Sequence, residues 1–434
     1  MSLKISYTLL LLLIIIFSNA CNFSKKNSDP SEGLTYSTCK SWEELIEKDH
    51  YQYVKLERIS DPGTKENPRY TGFWFYDEFQ FDPTDRYLLG MKTDFTDREV
   101  QANDIAEIGY FDLKNNNEWT KIGETTAWNW QQGCRLQWRP NSDEIVWNDH
   151  SDDKTRFVCR VYNFRTQSYR TLPRMIYDIS SDGKYALLHD FSRMKHAGTS
   201  YAGVQDPYAH LKFTPKIAIE KMDMDSGEVE KIINLEQLAK RAFPKGYDGE
   251  TNLYFFREGW NPSGTRFITF LRNMDSPNRH VSGWSISADG KDIRYFFNNP
   301  SHHVWVNDSV IFEGRYFAKI HDDGSGVIQP PLAEVDANID PTFLPEPYED
   351  WILGDTYVLD GLQHLFLFHQ PTKLFVPLAR LKNTGVPGGI FRVDLHARSS
   401  REGRKISIDA TFEGLGRQLY VMDIGHILDN PPKK

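Results

Sequence analysis

Pro140-Asn141-Ser142-Asp143-Glu144-Ile145-Val146-Trp147 joins a polar turn to a run of β-branched and aromatic residues. The same order of turn and strand-like run occurs seven times. The seven turns are Asp82-Pro83-Thr84-Asp85, Pro140-Asn141-Ser142-Asp143, Ser181-Asp182-Gly183-Lys184, Pro262-Ser263-Gly264-Thr265, Asn307-Asp308, Gly354-Asp355 and Arg401-Glu402-Gly403-Arg404. A second strand-like run usually follows, as in Leu419-Tyr420-Val421-Met422-Asp423. Four strands per unit, at a spacing of roughly forty residues, indicate an all-β protein, a seven-bladed β-propeller with four-stranded antiparallel blades.

A single ring of this kind would account for most of the 434 residues, and we expect it over residues 51–427. Hydrophobic residues make up 39% of the chain and aromatic residues 14%, which is enough for a large core. The formal net charge is −9, and no long run of Lys or Arg is present. Phosphate binding needs a concentrated basic face, so the sequence argues against a nucleic-acid partner. We expect a monomer.

The first twenty residues have the pattern of an export signal. Lys4 precedes an unbroken apolar run over residues 9–17, and Ser18-Asn19-Ala20 leads into Cys21. The run is too short to span a membrane. We interpret residues 1–20 as a signal peptide and Cys21 as the lipidated N-terminus of a cell-envelope protein, anchored at the outer membrane by its lipid alone. Residues 21–50 would be a tether and a short helix; the alternative is an ordinary cleaved signal followed by a chance cysteine.

Three cysteines remain after Cys21, and they cannot all pair. Cys134 and Cys159 are expected in the first and third strands of one blade, with a strand between them. Strands lie about 4.8 Å apart, so this separation is too large for a disulfide. We therefore predict buried free thiols, Cys39 included.

The expected blades leave two kinds of connection. The short polar turns share one face of the ring, and the longer segments fall on the opposite face. The predicted blades cover residues 77–122, 132–172, 175–232, 255–296, 302–329, 348–381 and 394–424, with an insertion at 191–214, a helix from Leu235 to Ala242 and a loop at 330–347. Because loops held by a scaffold carry function, we expect the site on the face with the long segments.

Histidines and a carboxylate precede the innermost strands of two blades. His302 comes before blade five, and Asp394 and His396 come before blade seven. Asp394 and His396 are two residues apart, so both side chains face the same way in an extended strand. Two histidines and an aspartate suit a divalent cation such as Mn²⁺ or Zn²⁺. The alternative is that each histidine merely hydrogen-bonds the neighbouring blade.

The insertion at 191–214 combines cations, aromatic residues and groups that can transfer protons. Arg193 suits a substrate carboxylate, and His196, Tyr201 and His210 suit acid–base catalysis. This composition fits an anionic sugar, and it also fits an ordinary solvated loop. The chain contains no Gly-x-Ser-x-Gly, no phosphate-binding Gly-rich loop and no His-Glu-x-x-His, which disfavours serine hydrolases, P-loop enzymes and zincins.

The repeats resemble the Tol-system propellers, and the blades from about residue 255 onward resemble the oligogalacturonate lyases (polysaccharide lyase family 22). The resemblance covers about half the chain. It is carried by His302-x-x-Trp305, by Asp394-x-His396 and by Gln418-Leu419-Tyr420. It implies a seven-bladed fold and a Mn²⁺ bound by three histidines and a glutamine. His302 and His396 match two of these histidines, Asp394 takes the place of the third, and Phe391 takes that of the glutamine.

The catalytic residues of the resembled family are not all matched. The family's base is a histidine at the end of the second strand of blade four, where this chain has Phe270-Leu271-Arg272. Its substrate arginine in blade three is also unmatched, and Lys216 is the nearest cation. We therefore expect an acid–base group from the insertion or from His280. Arg272 would bind a substrate carboxylate, with Arg392 or Arg398 opposite.

Two functions remain open from the sequence. The first is lyase-type β-elimination on an acidic oligosaccharide, in which a base removes the C5 proton while a cation stabilises the carboxylate. The second is a non-catalytic lipoprotein that binds a glycan or a protein through the same face. The missing base favours the second function, and the His, Asp and Arg side chains at the channel mouth favour the first.

Overall fold

The computed structural model describes residues 36–433 except 48, 50, 194–198, 248, 250–251, 275–278, 329–330 and 386–387. The predicted signal peptide and Cys21 therefore lie outside the described residues. The described chain begins with a short helix and two short strands, α1 (Trp42–Leu45), β1 (Tyr51–Gln52) and β2 (Glu57–Arg58). Seven antiparallel sheets follow, as predicted.

The first three blades have four strands each and follow one another along the chain. Blade one contains β3 (Tyr70–Gly72), β4 (Tyr87–Thr93), β5 (Ala106–Asp112) and β6 (Glu118–Thr125). Blade two contains β7 (Gln137–Trp138), β8 (Glu144–His150), β9 (Phe157–Asn163) and β10 (Ser168–Leu172). Blade three contains β11 (Asp178–Ile179), β12 (Tyr185–Leu188), β13 (Ala218–Asp223) and β14 (Val229–Asn234).

The remaining blades vary in strand number. After helix α2 (Leu235–Ala242), blade four contains β15 (Tyr254–Trp260), β16 (Arg266–Asn273), β17 (His280–Ser287) and β18 (Ile293–Asn298). Blade five has three strands, β19 (His303–Asn307), β20 (Val310–Glu313) and β21 (Ala318–His321). Blade six contains β22 (Ile339–Phe343), β23 (Trp351–Thr356), β24 (Leu362–His369) and β25 (Leu374–Lys382). Blade seven contains β26 (Arg398–Ser399), β27 (Lys405–Ala410) and β28 (Gln418–Asp423), and helix α3 (Gly425–Asp429) follows it.

The N-terminal strands close the ring. Strand β2 pairs antiparallel with β28, with Glu57 opposite Val421 and Arg58 opposite Tyr420, so it is the fourth strand of blade seven. Strand β1 pairs with β25 and becomes a fifth strand of blade six. Pairing removes edges that would otherwise be open to other chains. The prediction that an N-terminal strand completes blade seven is confirmed.

Two local predictions were wrong. Blade five has three strands among the described residues where four were predicted, and residues 339–343, predicted as loop, form strand β22. Pro341 misled the prediction because proline is rare within sheets. Strand β22 is the first strand of its blade and pairs only with β23, so Pro341 lies on an edge and interrupts no second ladder.

A carboxylate near the end of a second strand joins blade seven to blade one. Asp409 in β27 accepts hydrogen bonds from the amides of Phe73 (3.1 Å) and Trp74 (3.0 Å), which lead away from blade one's first strand. Its oxygens also bind Arg398 (2.8 Å) and Arg417 (2.7 Å). All these groups are buried, so Asp409 is the polar centre of the contact between blades seven and one.

The helix α2 spans the residues predicted for it, and Asn234 caps its first turn. Cys39, Cys134 and Cys159 are buried free thiols, as predicted. Cys159 lies in β9, the third strand of blade two, and Cys134 precedes the first strand β7. Among the described residues, no helix is long and apolar enough to cross a membrane.

Candidate functional site

Segments from blades five, six and seven meet around Asp340, which lies in β22. Its Oδ1 atom is 2.9 Å from Nδ1 of His302, and its Oδ2 atom is 3.5 Å from Nε2 of His396. The same nitrogen of His396 is 3.9 Å from Oδ2 of Asp394. All four side chains are buried. The structure thus brings the three predicted metal ligands together around a fourth residue that the sequence analysis did not assign.

The backbone is strained where it presents two of the site residues. His396 has φ of 45° and Arg257 has φ of 61°, both in the left-handed region that side chains other than glycine rarely adopt. Each such residue costs about 1–3 kcal/mol and persists only where its surroundings hold it. For His396 the restraint is Asp355, which accepts hydrogen bonds from the amides of His396 (3.2 Å) and Ala397 (2.9 Å).

Burial sets the charges of this cluster. It lowers the pKa of both His302 and His396 well below the usual histidine value, so both imidazoles are neutral at neutral pH. It raises the pKa of Asp340 and brings that of Asp394 to about 6. Arg392 opposes the rise at Asp394, because its Nε donates a hydrogen bond to Oδ2 at 2.8 Å. The cluster therefore contains uncharged nitrogen donors and at least one ionised carboxylate.

The chemistry of these donors suits a divalent cation. Both Asp340 oxygens, Oδ1 of Asp394 and the Nδ1 atoms of His302 and His396 have no hydrogen-bond partner within the described part of the chain. Neutral imidazoles and carboxylates are common ligands of Mn²⁺ and Zn²⁺. The present positions nevertheless do not form a ligand shell. Within the described residues, no three His, Cys, Asp or Glu side chains are arranged to hold a metal ion.

Beside this cluster, on the face with the long connections, lies a cavity of about 190 Å³ that we call the arginine pocket. Five arginines line it: Arg257, Arg272, Arg279, Arg315 and Arg392. His302 and Tyr357 also line it, and the Tyr357 hydroxyl is 3.1 Å from Nε2 of His302. The pocket therefore combines a high density of positive charge with a neutral imidazole.

Three of these arginines have no ion-pair partner among the described residues. Arg257 donates to the Ser301 carbonyl at 3.2 Å, and Arg315 donates to the Asn338 side chain at 3.0 Å. Arg272 packs over the ring of Phe256 at 4.1 Å. Burial, together with the nearby guanidiniums of Arg257 and Arg279, lowers the pKa of Arg272 to about 10. Arg272 thus remains charged at neutral pH, and no carboxylate of the described residues forms an ion pair with it.

The structure places the predicted substrate arginines in different environments. Arg272 and Arg392 both line the arginine pocket. Arg398 does not line it; its guanidinium is buried and binds Asp409 at 2.8 Å and the Phe75 carbonyl at 3.2 Å. The side chain of Arg193, at the end of the short 3₁₀-helix Phe191–Arg193, lies outside the described part of the structure.

The predicted acid–base residues that the structure describes do not line the arginine pocket. Tyr201 is buried, stacks on Phe191 with ring centres 4.4 Å apart and has a raised pKa because of burial. His280 contacts Ser282 at 2.9 Å and belongs to β17, whose neighbouring residues 279 and 281 line the pocket, so alternation along the strand turns it away. His210 is exposed on the insertion, and His196 lies outside the described residues.

Four residues of the site were not predicted: Arg257, Arg315, Asp340 and Tyr357. Arg257 lies within β15, the first strand of blade four, where the pairing with β16 shifts between Phe256 and Gly259. Asp340 was not recognised as a site residue because its segment, residues 330–347, was predicted to be a loop. Arg315 and Tyr357 lie at the ends of second strands, on the same face as the long connections, and loop position alone could have marked them.

Solved structures with this architecture include two oligogalacturonate lyases. An oligogalacturonate lyase in complex with manganese has a TM-score of 0.59 and 13% sequence identity, with 90% of this chain and 96% of that chain covered. An oligogalacturonate lyase from Vibrio parahaemolyticus has a TM-score of 0.57 and 11% identity, with 90% and 97% covered. TolB from Acinetobacter baumannii is a more distant neighbour, with a TM-score of 0.36 and 12% identity over 73% and 65%.

The chain is therefore a divergent seven-bladed β-propeller of the oligogalacturonate lyase type in its fold. Identities this low establish the fold alone. No protein-family model matches the sequence, and no curated protein matches it significantly.

Proposed function

We propose that this protein binds a carboxylate-bearing oligosaccharide in the arginine pocket. The observation that carries the proposal is the presence of Arg257, Arg272 and Arg315 around one cavity with no described carboxylate paired to any of them. Guanidinium groups recognise carboxylates through paired, charge-assisted hydrogen bonds. A ligand with several carboxylates would balance charges that have no ion-pair partner within the described part of the chain. The similarity in fold to two oligogalacturonate lyases supports an acidic sugar as this ligand.

Calorimetric titration with short oligogalacturonates tests this proposal. The key variant is Arg272→Met, because methionine retains the packing over Phe256 and removes only the charge. Loss of one charge-assisted contact of roughly 1.5–3 kcal/mol should weaken binding by about tenfold or more. Arg294→Met is the matched control, since Arg294 lies on the outer strand β18 and already binds Asp292. The same oligosaccharides with their carboxyl groups reduced to alcohols should not bind.

A second candidate function is β-elimination at the same pocket. It is favoured by the contact between Tyr357 and the neutral imidazole of His302, with Asp340 on the other side of that ring. A tyrosine hydroxyl in this position can take the C5 proton of a uronate while it passes its own proton to Nε2 of the imidazole. The electron pair of the broken C5–H bond forms the C4–C5 double bond, and the C4–O bond breaks with its electron pair on the leaving 4-O oxygen, which is protonated by water while the imidazolium returns its proton to solvent. A guanidinium beside the carboxylate stabilises the charge that develops there.

Ultraviolet absorbance of the unsaturated product distinguishes the two functions. Tyr357→Phe should abolish its formation and leave binding in the titration unchanged, since phenylalanine keeps the ring and removes the proton-transfer group. If the wild-type protein binds the oligosaccharide and never produces unsaturated product, it is a binding protein and the elimination proposal is wrong.

We also propose that His302, Asp340, Asp394 and His396 bind a divalent cation such as Mn²⁺ after a rearrangement of these side chains, since their present positions form no ligand shell. When bound, the cation would stabilise negative charge on the sugar carboxylate. The proposal of a cation site is supported by the donor types of these side chains and by their polar atoms that have no hydrogen-bond partner among the described residues. Binding of a cation and proton transfer to the imidazole are alternative uses of His302. Metal content of protein purified without chelator, compared with the His396→Ala variant, tests the cation directly.

A further inference from the structure

A second cavity lies at the other end of the channel, on the face with the short turns. Its volume is about 470 Å³, within the size range of small-molecule sites. Ser181, Pro262 and Arg401, from the first turns of blades three, four and seven, line it, and this places it opposite the arginine pocket. Arg257 lines both cavities. We call this second space the axial cavity.

Several aromatic side chains contribute to the walls of the axial cavity. Phe79, Trp260, Trp305 and Phe343 line it, and Phe79 keeps 44% of its surface exposed. Trp260 is 7% exposed, and its indole Nε1–H has no acceptor within the described residues. Aromatic faces attract organic cations in addition to apolar groups. The walls therefore suit a ligand that has an apolar body.

Three carboxylates at this cavity share one guanidinium. Arg135 binds Asp77 at 3.0 Å and Glu78 at 2.5 Å, whereas Asp178 has no ion-pair partner among the described residues. Asp178 accepts a hydrogen bond of 2.7 Å from the amide of Trp260. Burial, with the charge of Asp77, raises the pKa of Asp178 to about 7. Burial raises the pKa of Glu78 well above its usual value, so Arg135 chiefly balances Asp77, and Asp178 has no ion pair of its own within the described residues.

Of the other arginines along the cavity, Arg398 and Arg401 have polar partners of their own, whereas Arg257 has no ion-pair partner among the described residues. Arg398 binds Asp409. Arg401 stacks over Phe79 at 3.6 Å and donates to the Phe81 carbonyl at 3.1 Å. Arg257, at the inner end, packs over the ring of Phe75 at 4.8 Å. None of these contacts reaches Asp178, which therefore remains available to a ligand.

We propose that the axial cavity binds an organic cation, an ammonium or guanidinium-type group on an apolar body. The charged group pairs with Asp178, and the body lies among Phe79, Trp305 and Phe343. The ligand class is opposite in charge to that of the arginine pocket, so the two ends of the channel select different molecules. The inference does not depend on the proposed function of the arginine pocket.

Benzamidinium and benzamide are suitable probes because they have nearly the same shape and differ in charge. Ligand-observed NMR and calorimetric titration of the wild-type protein should detect benzamidinium at millimolar concentration, and benzamide should bind at least about tenfold more weakly, as expected for loss of one charge-assisted hydrogen bond. Asp178→Asn keeps an acceptor for the Trp260 amide and should weaken benzamidinium binding by a similar factor. Phe79→Ala, at the exposed rim, should weaken both probes.

Two control variants separate the sites. Arg272→Met should leave benzamidinium binding unchanged, and Asp178→Asn should leave oligogalacturonate binding unchanged. Equal binding of the two probes would show an apolar cavity with no preference for cations and would overturn the proposal. Unchanged benzamidinium binding in Asp178→Asn, or no binding to the wild-type protein at millimolar concentration, would overturn it as well.

Discussion

Nδ1 of His302 lies 2.9 Å from Oδ1 of Asp340, yet neither atom has a partner in hydrogen-bonding geometry within the described residues. Asp409 shows the contrasting case of an equally buried aspartate. Its oxygens accept hydrogen bonds from two amides and two guanidiniums. A buried carboxylate with many partners contributes to folding, whereas one without partners costs free energy. The contrast marks Asp340 as a residue kept for binding or chemistry.

We predict opposite effects on stability when each of these two aspartates is replaced by asparagine. Asp340→Asn should leave the free energy of unfolding unchanged or increased by about 1 kcal/mol, because it removes a buried charge that gains no hydrogen bond. Asp409→Asn should lower it by about 3–5 kcal/mol, because Arg398 and Arg417 would remain buried without a counter-charge. Urea unfolding followed by tryptophan fluorescence measures both. A large loss for Asp340→Asn would show that this residue is structural.

The fold could be predicted from sequence because the same pattern of turn and strand occurs seven times, and each occurrence independently indicates one blade of a propeller. The predicted ligands His302, Asp394 and His396 were found together for the same reason, since equivalent positions before first strands converge on the axis. The sequence pattern did not show that Arg392 lines the arginine pocket whereas Arg398 does not. Which arginine faces the arginine pocket and which binds Asp409 depends on packing between blades seven and one, far apart in sequence.

Asp394 should make stability depend on pH in a specific direction. Its folded-state pKa of about 6 lies above the unfolded value of about 3.9, so between these values the folded chain holds a proton that the unfolded chain lacks. Stability from this group is therefore greatest below about pH 4 and falls as pH rises through about 6, by up to about 3 kcal/mol. Asp394→Asn should remove this dependence. Urea unfolding of both proteins across this pH range measures it, and parallel curves would contradict the assignment.

Removal of the N-terminal strands should open the ring. A chain that begins after residue 60 lacks β1 and β2, which leaves the outer edges of β25 and β28 unpaired. We expect the melting temperature to fall by about 5 °C or more and the protein to aggregate through the exposed edges. A chain that begins at Tyr36 retains both strands and is the matched control. Equal melting temperatures for the two chains, by calorimetry, would show that closure by β2 contributes little.

Cys21 should receive the lipid that anchors the protein to the membrane. The apolar run at residues 9–17 and the small residues before Cys21 have the pattern of a lipoprotein signal. One acyl chain binds membranes only marginally, so stable anchoring requires the multiply acylated form. Metabolic labelling with an alkyne-modified fatty acid should mark the wild-type protein and leave Cys21→Ala unmarked, with the variant moving from the membrane fraction to the soluble fraction. Cys39→Ala is the matched control, because its thiol is buried in the fold and should not affect labelling. Unlabelled wild-type protein, or unchanged membrane association of Cys21→Ala, would contradict lipidation at this residue.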